Sequence, residues 1–337
     1  MNILITSVGR RDYIVEYFRA ALNGGGQIVA ANSLEHCSGM YASDVRCVVP
    51  PVHSKEYIPC LLDICRAHEI RMVLSLMDQD SLVLSTHRKS FADLGVFVAA
   101  SEVKTLELAF DKYESGKFLT SLGILTPTTV RSPEEALHHL ENGVLSFPLI
   151  LKPRWGSGSI CTEVAQTREE LLFFFQYLGG KVGETHLAEH ANTKGRNEIL
   201  IQQFIKGDEF DLDVLNDFQG RYVTTFPRKK FAMRAGETDG AVTIANESLR
   251  ALGERIALAF GHLGILDVDL FCTENGGFTV IDVNPRFGGA YPFSHIAGAN
   301  VPACYISWVQ GKSPRKEWLE QTPNVHSVKG VELWKKG

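Results

Sequence analysis

Through its first 110 residues the chain alternates short apolar, β-branched runs with stretches whose apolar residues recur every three or four positions. The runs are Ile3–Ser7, Gln27–Ala31, Val45–Val49, Met72–Leu76 and Val96–Ala99; the helical stretches are Asp12–Leu22 and the segment after Ser54. Strands alternating with amphipathic helices predict a parallel sheet covered by helices. Ligands of such sheets sit beyond the carboxyl ends of the strands, so Ser7–Arg11 and Met77–Ser81, with Asp78 and Asp80, are candidate substrate loops. Arg10 and Arg11 could equally be surface charges.

The texture changes at 111. Asp111 opens a helix running to Ser121, and Ser132 followed by Pro133 reads as a capped helix start with proline at the first helical position. A strand from Phe147 runs into a small loop, Arg154–Ser159, and a capping box, Thr167 with Glu170, begins a Phe-rich helix. Its cluster Leu171–Leu178 predicts a core helix. Strand-like runs follow at Glu198–Ile205, Phe210–Leu215 and Arg221–Phe226, then a helix at Ser248–Leu263. The expected units are 1–110, 111–195 and 196–337.

Two further runs, Leu266–Cys272 and Phe278–Gly289, bracket Thr273–Gly277, whose glycines suit a hairpin turn. Alternate residues share one face of a strand, which groups Asp282, Asn284 and Arg286. With a four-residue loop, Glu274 to Gly277, Thr273 pairs with Phe278 and Asp269 falls opposite Asp282. Opposed carboxylates repel unless a cation lies between them. Two oxygen donors beside a guanidinium suit Mg2+ on a polyphosphate. A solvated acidic hairpin is the plainer reading.

Lys152 ends a strand just before the glycine loop, so an ammonium and backbone N–H groups converge where a phosphate could sit. The loop matches neither a P-loop nor a dinucleotide fingerprint and could be an ordinary hairpin. In Ile199–Asp213 an apolar segment breaks at Gly207, exposing backbone groups of Phe204 and Ile205 to an adenine edge, with Glu209 within reach of a ribose. An edge hairpin with charged residues explains the same run.

At 337 residues, two or three compact units are expected. A hydrophobic content of 45% with 22% charged residues argues against disorder. A net charge of −5 argues against a broad basic surface for nucleic acid or anionic membrane. The seven cysteines, Cys37, Cys47, Cys60, Cys65, Cys161, Cys272 and Cys304, lack metal-site spacing and read as reduced core thiols of a cytoplasmic protein; Cys60 and Cys65 are expected on one helix. The N-terminus lacks the pattern of a signal peptide, and no run approaches a membrane span.

The order Asp111-Lys112, Leu151-Lys152-Pro153 with its loop, Gln203-Phe204-Ile205 with Gly207 and Glu209, Asp269, and Asp282-x-Asn284-Pro285-Arg286 resembles the ATP-grasp superfamily, in particular its carbamoyl-phosphate-synthase-like carboxylate–amine ligases. The resemblance covers about 1–310. It implies an α/β and α+β ATP-grasp fold with a Rossmann-like N-terminal domain, a lid and a C-terminal domain bearing the hairpin. It implies that Lys112, Lys152, Ser157 and Gly158 meet ATP phosphates, that Gln203, Phe204 and Ile205 hold adenine, and that Glu209 holds ribose. Asp269, Asp282 and Asn284 would carry two Mg2+ ions, with Mn2+ an allowed substitute. Arg286, with Lys152 and Arg234 of the loop Met233–Asp239, would serve the transferred phosphoryl group. The implied reaction forms an amide from a small-molecule carboxylate and amine through an acylphosphate; a kinase, a carboxylase or a non-catalytic nucleotide-binding protein are the alternatives. A homodimer is allowed. A carbamoyl phosphate synthase large subunit has two such units, whereas this chain has room for one. His295 reads as a structural histidine ahead of an acceptor contact, and the tail 311–337 has no assigned role.

Overall fold

The computed structural model describes residues 1–156, 160–184, 198–273 and 276–335. A five-stranded parallel sheet of order β3-β2-β1-β4-β5 is made from β1 (Asn2–Thr6), β2 (Ile28–Asn32), β3 (Val45–Val48), β4 (Ile70–Ser75) and β5 (Phe97–Val98). Both faces are buried. Ile3 and Ile5 pack with Ile14 and Phe18 of the helix Asp12–Leu22, and Leu4 packs with Leu61 and Phe91 on the other side. Covering both faces removes the polar alternation, hence the continuous apolar runs. Cys60 and Cys65 share the helix Tyr57–Ala67, and all seven cysteines are free thiols.

A smaller antiparallel sheet, order β6-β9-β7-β8, contains β6 (Thr129–Val130), β7 (Leu149–Pro153), β8 (Glu163–Ala165) and β9 (Ile199–Gln203). The helix Arg168–Lys181 covers it, with Thr167 capping as expected: its side chain accepts from the Glu170 N–H. The run Leu171–Leu178 is only half a core helix, however. Leu171 and Leu178 are buried and Phe174 and Phe175 pack beside them, but Phe173 is 61% exposed. At 3.6 residues per turn an unbroken apolar run winds right round the helix, and only the i, i+3, i+4, i+7 stripe reaches the sheet.

The large sheet has the order β14-β13-β10-β11-β12-β15, from β10 (Gly207–Asn216), β11 (Tyr222–Arg234), β12 (Glu237–Thr243), β13 (Ile265–Thr273), β14 (Phe278–Asn284) and β15 (His326–Val328). Strict alternation sorts its faces. Phe210, Leu212, Val214, Leu266, Val268, Leu270, Val280 and Val283 form one core with the helix Glu247–Phe260. The intervening positions carry charge. Asp269 faces Asp282 as the sequence predicts, although Thr273 does not pair with Phe278: Cys272 takes that place, and a bulge between Leu270 and Asp269 restores the register. The turn residues Glu274 and Asn275 lie outside the described residues. Met233–Asp239, expected as a loop, is instead a two-strand hairpin in which Arg234 pairs with Glu237 and Ala235 and Gly236 take positive φ, as a tight two-residue turn requires.

The N-terminal sheet and the large sheet share a core. Phe287, just past β14, is 1% exposed, with its ring centroid 5.8 Å from that of Phe18, 4.9 Å from Tyr291 and 5.5 Å from Tyr305. We expect Phe287→Ala to cost about 3–5 kcal/mol in urea denaturation; a loss below about 1 kcal/mol would mean that this contact does not join the two sheets.

Candidate active site

The charged face of the large sheet is built by register. Asp282 lies beside Asp269, Asp269 beside Asp211, and Asp211 beside Arg228; one row on, Asn284 lies beside Asp267 and Asp267 beside Asp213. Arg228 is completely buried. Its Nη2 donates to Asp211 Oδ1 at 2.8 Å and Asp213 Oδ1 at 3.1 Å, and its Nη1 donates to Ser294 Oγ at 2.6 Å and to Asp213 Oδ2. Burial works to lower the pKa of this guanidinium, but Asp211 and Asp213 outweigh it and hold the pKa above the usual value. Burial raises the pKa of Asp213 despite Arg228, and raises that of Asp267 well above the carboxylate range with help from Asp211 and Asp269.

Nearer the cleft each carboxylate has a lysine. Lys230 donates to Asp269 Oδ1 at 2.5 Å and Glu209 Oε1 at 2.8 Å, and Lys112 donates to Asp282 Oδ2. Burial would lift Asp269, but Lys230 brings it below the usual range. Lys112 is aimed by its helix start: the Asp111 carboxylate caps the helix Lys112–Ser121 at the Tyr113 and Glu114 N–H groups, and Arg154 grips both Asp111 oxygens at 2.7 Å.

Lys152 differs. It lines the same cleft as Lys112, Glu209, Lys230, Asp269 and Asp282, and among the described residues it has no ion pair. Burial and the neighbouring Lys112 lower its pKa to about 8. A desolvated ammonium beside another ammonium favours an anion.

Arg286 ends in a bend just past β14, its Nε 3.3 Å from Asp78 Oδ2 and its Nη1 3.1 Å from Asp267 Oδ2. Arg11 Nη1 donates to Leu76 O at 2.9 Å and Phe287 O at 2.7 Å. Ser7–Arg11 is a loop as expected, but Met77–Ser81 is not: Met77 precedes the first turn of the helix Asp78–Thr86. Both segments meet the C-terminal site, Asp78 at the Arg286 side chain and Arg11 at the Phe287 carbonyl. Asp80 turns inward instead, accepting from Thr6, Ser7, Tyr57 and Ser75.

Gln203, Phe204 and Ile205 leave β9 together, with Phe204 37% exposed. The Gln203 side chain is committed to the Ser146 backbone, accepting from its N–H at 2.9 Å and donating to its carbonyl at 3.1 Å. Arg234 sits at the hairpin tip, paired with Asp239 at 2.8 Å. Ser157 and Gly158 lie outside the described residues. His295 stacks on Tyr17 with ring centroids 3.6 Å apart, and burial lowers its pKa to about 4. Sequence reading missed Lys230, Arg228, Asp211, Asp213 and Asp267. The signal was the strict alternation in Glu209-Phe-Asp-Leu-Asp213 and Leu266-Asp-Val-Asp269, which puts every acid on one face.

Among the described residues no three His, Cys, Asp or Glu side chains form a metal cage, and no helix is long and apolar enough to cross a membrane. A family model described as an ATP-grasp domain matches residues 109–290, and one described as a PylC-like N-terminal domain matches 3–99. The carbamoyl phosphate synthase large chain of Deinococcus deserti is 26% identical over 279 residues, covering 78% of this chain and 25% of its own. That of Campylobacter jejuni is 24% identical over 216 residues, covering 61% and 18%. The chain thus spans a quarter or less of the length of these relatives. The fold is shared with the L-amino acid ligase of Bacillus licheniformis (TM-score 0.71, 21% identity, 96% of this chain and 78% of that one). It is shared too with the biotin carboxylase domain of Hydrogenobacter thermophilus 2-oxoglutarate carboxylase, solved as a dimer with MgADP and bicarbonate (TM-score 0.75, 17% identity, 96% and 73%).

The buried network makes its own prediction. Arg228→Met leaves Asp211 and Asp213 without their cation and should cost about 3–5 kcal/mol in chemical denaturation. Stability within about 1 kcal/mol of the parent would mean that the carboxylates there are already neutral.

Proposed function

This chain belongs to the ATP-grasp family, and we propose that it joins a small-molecule carboxylate to an amine at the expense of ATP, releasing ADP and phosphate. The observation that carries this reading is the cleft in which Lys152, with no ion pair among the described residues, faces two opposed, lysine-held carboxylates, with Arg286 anchored beside them. Lys152 and Lys112 bind the phosphate chain, joined by Ser157 and Gly158. The Phe204 and Ile205 backbone, with Gln203 holding the strand end in place, meets the adenine, and Glu209 meets the ribose.

Asp269, Asp282 and Asn284 are a donor set suited to Mg2+, which needs only one or two carboxylates when phosphate oxygens complete its shell. When bound, one or two such ions, or Mn2+, neutralise charge on the transferring phosphoryl group. For this the lysines must release their partners: Lys112 turns from Asp282 and Lys230 from Asp269, both towards phosphate. Arg286, held in place by Asp78 and Asp267, presents a guanidinium to the phosphoryl oxygens. The unit 111–195 closes over the cleft, the hairpin bearing Arg234 borders it, and water is kept from the acylphosphate. A carboxylate oxygen attacks the γ-phosphorus and ADP leaves; the amine then attacks the acyl carbon and phosphate leaves with that oxygen.

Two outcomes test this. Lys152→Ala should weaken ATP by about 1.5–3 kcal/mol, the value of a charge-assisted contact, while adenosine binds as before; equal calorimetric losses for both would make Lys152 a wall residue. With substrate 18O-labelled in its carboxylate, one label should pass to inorganic phosphate for each amide formed. Amide and ADP formation with unlabelled phosphate would exclude the acylphosphate, and phosphate retained on a product alcohol would make the protein a kinase.

A further inference from the structure

The hairpin whose Met233 and Gly236 line the phosphate cleft also lines, through Arg234, Ala235 and Glu237, a second cavity of about 670 Å³. Its walls come from the helix Asp12–Leu22, the helix Tyr291–Ile296 and the C-terminal segment after β15. That segment is strapped down: Trp334 Nε1 donates to Asp12 Oδ2 at 2.9 Å, and the Lys329 ammonium lies 5.9 Å from the ring centroids of Tyr13 and Phe293.

Arg11 lines this cavity. Its Nη1 is fixed by the Leu76 and Phe287 carbonyls. Among the described residues its Nε and Nη2, the edge that can fork onto a carboxylate, have no partner. Its Nη1 is tied to the carbonyl of Phe287, the residue after Arg286, so an anion on the free edge is held on the side chain that joins the cavity to the Arg286 segment. Glu237 also lines the cavity, and among the described residues its pairings are long, 3.7 Å to Arg10 and 3.9 Å to Lys329. The lining mixes charged residues with an apolar and aromatic set that includes Tyr17, Phe293 and the 67%-exposed Ile296.

We propose that this cavity holds the carboxylate substrate and that the substrate is a zwitterion with a bulky apolar group: its carboxylate forks onto Arg11, its ammonium faces Glu237, and its body lies against Tyr17, Phe293 and Ile296. An α-amino acid with a large side chain has this chemistry. The inference rests on the ligase reading for what happens next, yet occupancy of the cavity can be measured without turnover. Arg11 is then a binding residue that presents the reacting oxygens towards Arg286. The C-terminal strap forms the outer wall.

Calorimetry on the full chain with ADP and Mg2+ present, using phenylalanine and phenylalaninamide, tests this. Phenylalanine should bind, and the amide should bind at least about tenfold more weakly for want of a charge-assisted contact. Arg11→Ala should lower phenylalanine affinity by a similar factor while ADP affinity stays within about twofold. Because Arg11 also ties two backbone carbonyls, Ile296→Trp provides a second variant at an exposed position; it fills the cavity and should abolish phenylalanine binding with ADP unaffected. No binding of phenylalanine, equal binding of acid and amide, or full affinity in either variant would overturn the proposal. Binding that obeys these expectations without phosphate release on adding amines and ATP would leave the cavity standing and remove the ligase.

Discussion

Arg228, with no solvent exposure, holds Asp211 and Asp213 together on the inner face of the large sheet, and the cleft charges are arranged around that core. Carboxylates on neighbouring strands would repel strongly in a low-dielectric interior. One guanidinium between them allows the acidic rows to continue outward to Asp267 and Asp269 and on to Asp282. The cations differ in how they are held: Arg228 is locked between Asp211 and Asp213, Lys230 is shared between Asp269 and Glu209, and among the described residues Lys152 has no ion pair. In the proposed reaction this gradient from fixed to free cations would let the outermost groups change partners while the sheet behind them stays put.

The same logic joins the N-terminal sheet to the site. Asp78 and Arg11 sit where a doubly covered parallel sheet opens at its strand ends, and both reach residues that follow β14: Asp78 to the Arg286 side chain and Arg11 to the Phe287 carbonyl. Behind them the Phe287 ring packs against Phe18, so the polar contacts rest on a buried apolar joint. Moving either sheet would move Arg286.

Much of this was legible in the chain. The helix Asp12–Leu22 has the predicted bounds, Ser132 and Thr167 cap as their positions imply, and Asp269 meets Asp282. The last success has an instructive cause: the turn shifted the pairing by one residue and the bulge at β14 shifted it back, and neither is encoded in a local pattern that sequence reading can see. Long-range partners were the main loss. Nothing near Lys230 in sequence points to Asp269, and Arg154 looked like a loop charge until the fold placed it against Asp111 and Glu198. The aromatic helix Arg168–Lys181 was misjudged because composition reports apolar content, whereas burial depends on which stripe faces the sheet.

The account turns on Lys152, which has no ion pair among the described residues, being the cation that a phosphate would meet. With its pKa lowered to about 8, it is about half protonated at pH 8, and a polyphosphate alongside would draw it fully into the charged form. Calorimetry of MgADP binding at pH 8 in buffers of different ionisation enthalpy measures that change directly. The predicted result is uptake of about half a proton per nucleotide, lost in Lys152→Met; binding with no proton uptake, or uptake that survives the substitution, would contradict it.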